Sequence, residues 1–163
     1  MKTLLFCSHL ARAIRLGHKT VTWKPLASAD LERRANGFVT NVQPFFVGDI
    51  VRLEEPWGYL GSVITYESSF VNEKQSGPFT EPPGFRPVQG ARGERTLTIT
   101  GCDLRNLNTI DENEANLAGT IPPDGSTYLA EFERQWRGAY RDLQAWDANP
   151  LCWRIAFTLN PVV

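Results

Sequence analysis

Alternating and continuous apolar stretches predict most of the strands of this chain. In the last stretch, Trp153, Ile155, Phe157 and Leu159 alternate with other residues, so we expect them to lie on one buried side. Similar stretches are rich in β-branched and aromatic residues and have the length of ordinary strands. Six ranges are therefore expected to be strands: 3–8, 20–24, 50–54, 62–67, 95–101 and 152–159.

Helical periodicity occurs between these stretches. The clearest helix is expected over 128–143, where apolar residues follow one face and charged residues lie opposite. Shorter helices are expected over 9–16, which Gly17 terminates, and after Thr109, which forms a capping-box pattern with Glu112. Five or more strands with about three helices predict an α+β fold.

The range 68–93 is crowded with glycine, proline and serine, which predicts a long loop and a possible lid over a ligand. Too little sequence follows this range to form a second hydrophobic core. A chain of 163 residues can also bury a core without metal or disulfide. We therefore expect one domain over 1–163.

The charge is unevenly distributed, although its formal sum is only −1. Range 1–34 is mainly basic, and range 103–133 is mainly acidic. This distribution permits a local site for an anionic ligand and argues against nonspecific coating of DNA. The alternative is a pair of ordinary solvated faces.

The cysteines and the apolar runs indicate a cellular compartment. Cys7, Cys102 and Cys152 cannot all pair, and each lies in an apolar, strand-like stretch, so we expect buried thiols in a reducing environment. The apolar run near Met1 is too short for a secretion signal, and no run is long enough to span a membrane. A cytoplasmic location is expected.

Motifs for several common chemistries are absent from the sequence. It contains no phosphate-binding P-loop and no dinucleotide-binding glycine pattern. With only His9 and His18, and with widely spaced cysteines, a zinc site is not expected. We predict neither a metal nor a cofactor.

Four segments, in the correct order, resemble ASCH domains. Range 17–24 (GHKTVTWK) resembles the G-x-K-T-x-T-x-R/K segment of that family, and range 47–57 (VGDIVRLEEPW) resembles the G-D-x-x-x-V-R-E-x-W stretch of its phage-encoded members. The opening 5–14 and the range 146–159 also resemble the phage-encoded branch. The resemblance covers almost the whole chain.

This resemblance implies a small curved β-barrel of the PUA-like superfamily, flanked by helices, that binds RNA or nucleotides. Short bacterial ASCH proteins are similar to amidohydrolases that remove the acetyl group of acetylcytidine with a lysine, a threonine and a glutamate. The lysine and threonine correspond to Lys19 and Thr22, whereas the position of the glutamate corresponds to Ala118. Glu55 is the preferred substitute acid, and Glu114 is an alternative.

Such hydrolysis sets two conditions on these residues. Lys19 must be neutral to accept a proton, which requires burial or a nearby cation. Because side chains alternate along a strand, Lys19 and Thr22 face the same site only if Lys19 lies in the turn before the strand. Whether the chain is an enzyme is therefore left open by the sequence.

Binding without catalysis requires neither a neutral lysine nor a nucleophile. Aromatic side chains can stack on an unstacked base, and basic side chains can contact phosphates. Packing in the core is the structural alternative for the aromatic residues. The candidates for nucleic-acid or nucleotide binding are Arg12, Arg15, Trp23, Lys24, Trp57, Arg92 and Arg95.

The sequence thus supports three functions. Binding of RNA or a modified nucleoside in a basic pocket ranks first, because Ala118 replaces the expected glutamate. Amide hydrolysis of an acylated nucleobase ranks second. An accessory protein-interaction domain of phage type ranks third.

Overall fold

The structure is a computed structural model that describes residues 1–37, 43–60, 62–66 and 82–161. The described strands are β1 (Thr3–Leu5), β2 (Val21–Pro25), β3 (Ile50–Leu60), β4 (Val63–Tyr66), β5 (Phe85–Asn106) and β6 (Leu151–Leu159). The described α-helices are α1 (Ser8–Arg15), α2 (Ser28–Ala35), α3 (Glu112–Leu117) and α4 (Tyr128–Ala139). Short 3-10 turns cover Leu107–Thr109, Asp142–Gln144 and Trp146–Ala148.

The strands form one mixed sheet. Its order is β1-β3-β5-β6-β2, and β4 pairs with the outer part of β3. The β1–β3 pair is parallel, and the other pairs are antiparallel. The long strand β5 pairs first with β3 and then with β6, and register shifts interrupt both pairings. Such bulges bend a sheet, and the curled sheet with its flanking helices confirms the predicted α+β fold with a small curved barrel.

Two hydrophobic clusters pack against this sheet. The first contains Leu53, Leu97 and Phe157, together with Ile14 of α1. The second packs β2 and β6 against α3 and α4, and it includes Trp136. As predicted for β6, the side chains at 153, 155, 157 and 159 all belong to the first cluster or pack against it.

The two central strands extend beyond the predicted ranges. β3 continues to Leu60, and β5 begins at Phe85. The prediction of a loop over 68–93 is therefore wrong for 85–93, which pairs with β3. Residues 68–81 of that predicted loop lie outside the described residues.

The first turn of α3 is capped differently from the prediction, and its Glu112 side chain contacts the start of α4. Asp111, and not Thr109, caps α3 by accepting a hydrogen bond from the Glu114 N–H at 2.8 Å. The Glu112 carboxylate accepts from the N–H groups of Tyr128 and Leu129, at 3.0 and 3.2 Å, at the start of α4. A carboxylate at a helix N-terminus interacts favourably with the helix dipole. α3 thereby holds the start of α4 in place.

The thiols differ in exposure. Cys152 is buried, Cys102 is half-buried and Cys7 is exposed, so the prediction of three buried thiols is wrong for Cys7. Among the described helices, none has the length and apolar character needed to cross a membrane.

Candidate ligand-binding site

Lys19 lies in the turn between α1 and β2 and is only 3% exposed. Its backbone forms an isolated antiparallel bridge with Ala118, at the end of α3. The Nζ atom donates hydrogen bonds to the carbonyl oxygens of Val21 at 2.7 Å and Ala118 at 2.6 Å. A buried amine is thus held between the start of β2 and the end of α3.

Gly119 permits this close packing. Its φ of +79° is in the region that favours glycine. A Cβ atom added at Gly119 would lie 2.9 Å from the Lys19 Cβ, closer than real contacts allow. The glycine is therefore required both by its own backbone conformation and by the position of Lys19.

Burial lowers the pKa of Lys19 from 10.5 to about 7. The cost of removing the ammonium from water is the main cause, and the nearby charge of Lys24 acts in the same direction. The Coulombic effect of Cys7 opposes this shift; it is smaller than the effect of burial and larger than that of Lys24. The neutral amine is consequently a substantial population near neutral pH.

A cavity of about 320 Å³ opens beside this amine, and Lys19, Thr22 and Lys24 all line it. Lys19 and Thr22 can face the same cavity because Lys19 lies in the turn before β2, as the prediction required, while Thr22 lies within the strand. Thr22 is 8% exposed. Lys24 lies exposed at the rim, although partial burial of its amine lowers its pKa. The cavity therefore combines one buried amine, one accessible amine and a hydroxyl.

An aromatic wall of the cavity is formed by Phe132 and Trp136 of α4 and by Tyr140, the residue that follows the helix. The ring centroids of Phe132 and Trp136 are 5.8 Å apart, and those of Trp136 and Tyr140 are 4.4 Å apart. The indole N–H of Trp136 donates to the Gln144 carbonyl oxygen at 2.9 Å, which fixes the ring. A wall of this kind suits a planar, apolar ligand face.

Trp23 of β2 also lines the cavity and is 5% exposed. It belongs to the second hydrophobic cluster, as its core-packing interpretation predicted. Within the described ranges, its buried indole N–H has no hydrogen-bond acceptor. A buried donor without an acceptor costs roughly 1–3 kcal/mol.

Cys7 also lines the cavity, with its sulfur 3.5 Å from Nδ1 of His9. Although the residue is exposed, local packing around the sulfur raises the thiol pKa. The same packing lowers the pKa of His9. A thiolate–imidazolium pair, which activates many catalytic cysteines, is therefore not favoured here.

The structure places Glu55 away from the cavity. Glu55 is 1% exposed and forms an ion pair with Arg15 of α1. The Arg15 guanidinium lies 5.0 Å from the ring centroid of Tyr66. Glu55 is therefore not brought together with Lys19 and Thr22, and no Asp or Glu is among the described residues that line the cavity.

The other predicted binding residues also lie outside the cavity. The Arg92 guanidinium lies 5.2 Å from the Trp57 ring centroid. Arg12 is half-buried in the last turn of α1, and Arg95 is half-buried on β5 opposite Leu53. The alternative acid, Glu114, is held by Arg154 of β6 through two hydrogen bonds.

Sequence reasoning missed part of the site. Among the residues it did not assign to the site are Cys7, Thr120, Phe132, Gln135, Trp136 and Tyr140. The apolar stripe of α4 was visible in the sequence, but such a stripe does not show which part of it borders a cavity. Within the described ranges, no group of three or more His, Cys, Asp or Glu side chains could hold a metal ion.

The fold and the cavity define a small α+β protein with a six-stranded sheet flanked by helices. It has a ligand-sized pocket beside a buried lysine. No family model and no curated protein matches the chain. A solved structure similar to it is protein EF3133 of Enterococcus faecalis V583, described with the family DUF984. The identity is 13%, the match covers 93% of this chain and 67% of that one, and the TM-score is 0.46.

Proposed function

We propose that this chain binds a modified nucleoside in the Lys19 cavity. The observation that carries the proposal is the cavity itself, about 320 Å³ in volume, with aromatic rings on one side and a buried amine on another. Small-molecule sites are typically apolar clefts of this size with a few polar groups that fix orientation. The resemblance of range 17–24 to ASCH domains points to the same ligand class.

Each wall of the cavity has a role in this proposal. The rings of Phe132, Trp136 and Tyr140 contact the face of the base. Lys19 and Thr22 offer hydrogen-bonding groups to its polar edge. Lys24 lies at the rim, where a sugar or phosphate would leave the cavity.

The pairing of two arginines outside the cavity favours a nucleoside over a long RNA strand. Arg15 is neutralised by Glu55, and Arg154 is held by Glu114. Binding along an RNA backbone depends on cations that replace the counterions of the phosphates. Paired arginines contribute little to that effect.

Calorimetric titration with acetylcytidine, cytidine, uridine and a short single-stranded oligoribonucleotide tests the proposal. We expect saturable binding of a nucleoside that weakens roughly tenfold or more in Thr22→Val or Lys19→Met, because each variant removes a polar partner. Lys2→Met changes a lysine outside the cavity and should bind as wild type. Binding of the oligoribonucleotide alone, with a steep salt dependence, would instead indicate an RNA-binding surface.

A second candidate function is hydrolysis of an acyl amide, favoured by the lowered pKa of Lys19 beside Thr22. The neutral amine would accept the Thr22 hydroxyl proton as the oxygen attacks the acyl carbonyl. The C–N bond then breaks, the leaving nitrogen takes a proton from the Lys19 ammonium, and water hydrolyses the resulting ester.

Release of acetate from acetylcytidine tests this chemistry. Turnover that is lost in both Thr22→Val and Lys19→Met, even at nucleoside concentrations that saturate the weakened binding of Thr22→Val, would support hydrolysis. Binding of acetylcytidine without acetate release would leave recognition as the function. This ranks second because the described lining of the cavity contains no carboxylate.

A further inference from the structure

Gln135 of α4 lines the Lys19 cavity, and its amide has a fixed orientation. The Nε2 atom donates a hydrogen bond to Oε1 of Glu131 at 2.9 Å. Glu131 lies one helical turn earlier and is only 2% exposed. The amide nitrogen of Gln135 is therefore directed at Glu131.

Glu131 is held as a carboxylate by Arg134. The Arg134 guanidinium donates from Nε to Oε2 at 2.7 Å and from a terminal nitrogen to Oε1 at 2.6 Å. These hydrogen bonds are the main cause of the lowered pKa of Glu131. An ionised carboxylate has no proton to donate, so only the NH₂ end of the Gln135 amide can face it.

The carbonyl oxygen of Gln135 is left as the group that can meet a ligand. No described residue donates a hydrogen bond to it, and turning the amide over would bring this oxygen against the Glu131 carboxylate. The cavity hydroxyls of Thr22 and Thr120 can donate or accept by rotation, whereas the Gln135 oxygen can only accept.

We propose that Gln135 determines ligand specificity by accepting a hydrogen bond from an N–H group on the ligand's edge. Glu131 and Arg134 act as positioning residues that keep the amide in this orientation. The class of ligand is thus a planar heterocycle with an amino or acylamino group, and a dialkylated nitrogen is disfavoured. This inference rests on the proposed function.

Cytidine and N4,N4-dimethylcytidine are suitable probes because only cytidine has an N–H at the exocyclic nitrogen. We expect the wild type to bind cytidine roughly tenfold more tightly, because the dimethyl compound leaves the acceptor unpaired. In Gln135→Met, which has similar length and no carbonyl, the ratio of the two Kd values should fall toward one. Steric exclusion of the methyl groups would instead leave the ratio unchanged in this variant.

Glu131→Gln provides a second test. This variant can present a donor to Gln135, so the amide is free to turn, and the ratio should fall while cytidine is still bound. Glu133→Gln neutralises a carboxylate of the same helix outside the cavity and should keep the wild-type ratio. Circular dichroism and thermal unfolding establish that each variant is folded.

The outcomes separate this inference from the proposed function. A wild-type ratio near one, or a ratio that Gln135→Met does not change, would overturn the role of Gln135 and leave nucleoside binding intact. Absence of binding for every nucleoside tested, at millimolar concentration, would overturn the proposed function and this inference with it.

Discussion

The buried amine of Lys19 should make the stability of this protein depend on pH. Its pKa is about 7 in the folded chain, against 10.5 for an ordinary lysine. Between these values, the unfolded chain holds a proton that the folded chain lacks. The free energy of unfolding therefore rises with pH across this window, because stability increases wherever the unfolded state binds more protons.

The size of the effect follows from the difference between the two pKa values. The full slope is a little over 1 kcal/mol per pH unit, so the change across the window is roughly 5 kcal/mol. This is comparable to the low end of the total stability of a small protein, about 5–15 kcal/mol. The contribution of Lys19 to stability is least favourable below pH 7, where the folded chain must bury its charge.

Urea unfolding of wild type and Lys19→Met between pH 6 and pH 10 measures this contribution. The variant removes the titrating amine, but it also leaves the carbonyls of Val21 and Ala118 without that donor. That loss costs roughly 1–3 kcal/mol for each carbonyl and does not depend on pH. The test is therefore how the difference in unfolding free energy between wild type and Lys19→Met changes with pH. The contributions of other titrating groups are common to both proteins and cancel in this difference.

A stability difference that stays constant from pH 6 to pH 10 would refute this reasoning. It would mean that Lys19 titrates in the folded protein as it does in the unfolded one, with water reaching its amine. Lys2→Met provides the control, because the Lys2 side chain is 54% exposed. The unfolding free energy of Lys2→Met should change with pH in the same way as that of wild type.

Two further predictions concern Gly119 and the thiols. In urea unfolding, Gly119→Ala should lower the free energy of unfolding by roughly 1–3 kcal/mol more than Gly125→Ala. Both glycines have positive φ, but only Gly119 contacts Lys19. Equal losses in the two variants would contradict the role given to that contact. Iodoacetamide followed by mass spectrometry should label Cys7 in the folded protein and Cys152 only after unfolding, because Cys152 is buried and burial raises its thiol pKa to about 12. Equal labelling rates in the folded state would contradict this assignment.

The sequence predicted each of the six described strands, although β1 ends at Leu5 and not at residue 8. It underestimated β3 and β5 because proline and glycine, which occur in 55–60 and in 85–93, normally indicate a loop. In the structure, a Cβ at Gly93 would lie 1.8 Å from the Leu53 carbonyl oxygen, and one at Gly58 would lie 2.4 Å from that of Arg86. These glycines mark close approach of two strands, which depends on the partner strand and cannot be read from either segment alone.

The site was predictable only in part for a similar reason. Segment 17–24 carries Lys19 and Thr22, so its contribution could be found locally. The aromatic wall depends on the packing of α4, which the Glu112 carboxylate helps to position. The placement of Glu55 depends on Arg15, 40 residues away in sequence. Such long-range pairings have no signature in the periodicity of one segment.

Ala118 occupies the position at which the ASCH resemblance implies a glutamate, and the side chain at this position affects the pKa of Lys19. Lys19 bonds to the backbone carbonyl of Ala118, so the buried amine is held without any acidic side chain at that position. A carboxylate close to an amine favours the ammonium form and raises its pKa. The alanine therefore keeps the Lys19 amine partly neutral near pH 7, which a glutamate would oppose.

Ala118→Glu should consequently reduce the pH dependence of stability, with Ala118→Gln as the uncharged control of the same size. Ala118 lines the cavity, so the new side chain can extend toward solvent. In Ala118→Glu, the pKa of Lys19 should move toward 10.5, and the rise in unfolding free energy between pH 7 and pH 10 should become shallower than in Ala118→Gln. If the two variants show the same pH dependence, position 118 does not act electrostatically on Lys19, and burial alone sets the protonation of the amine.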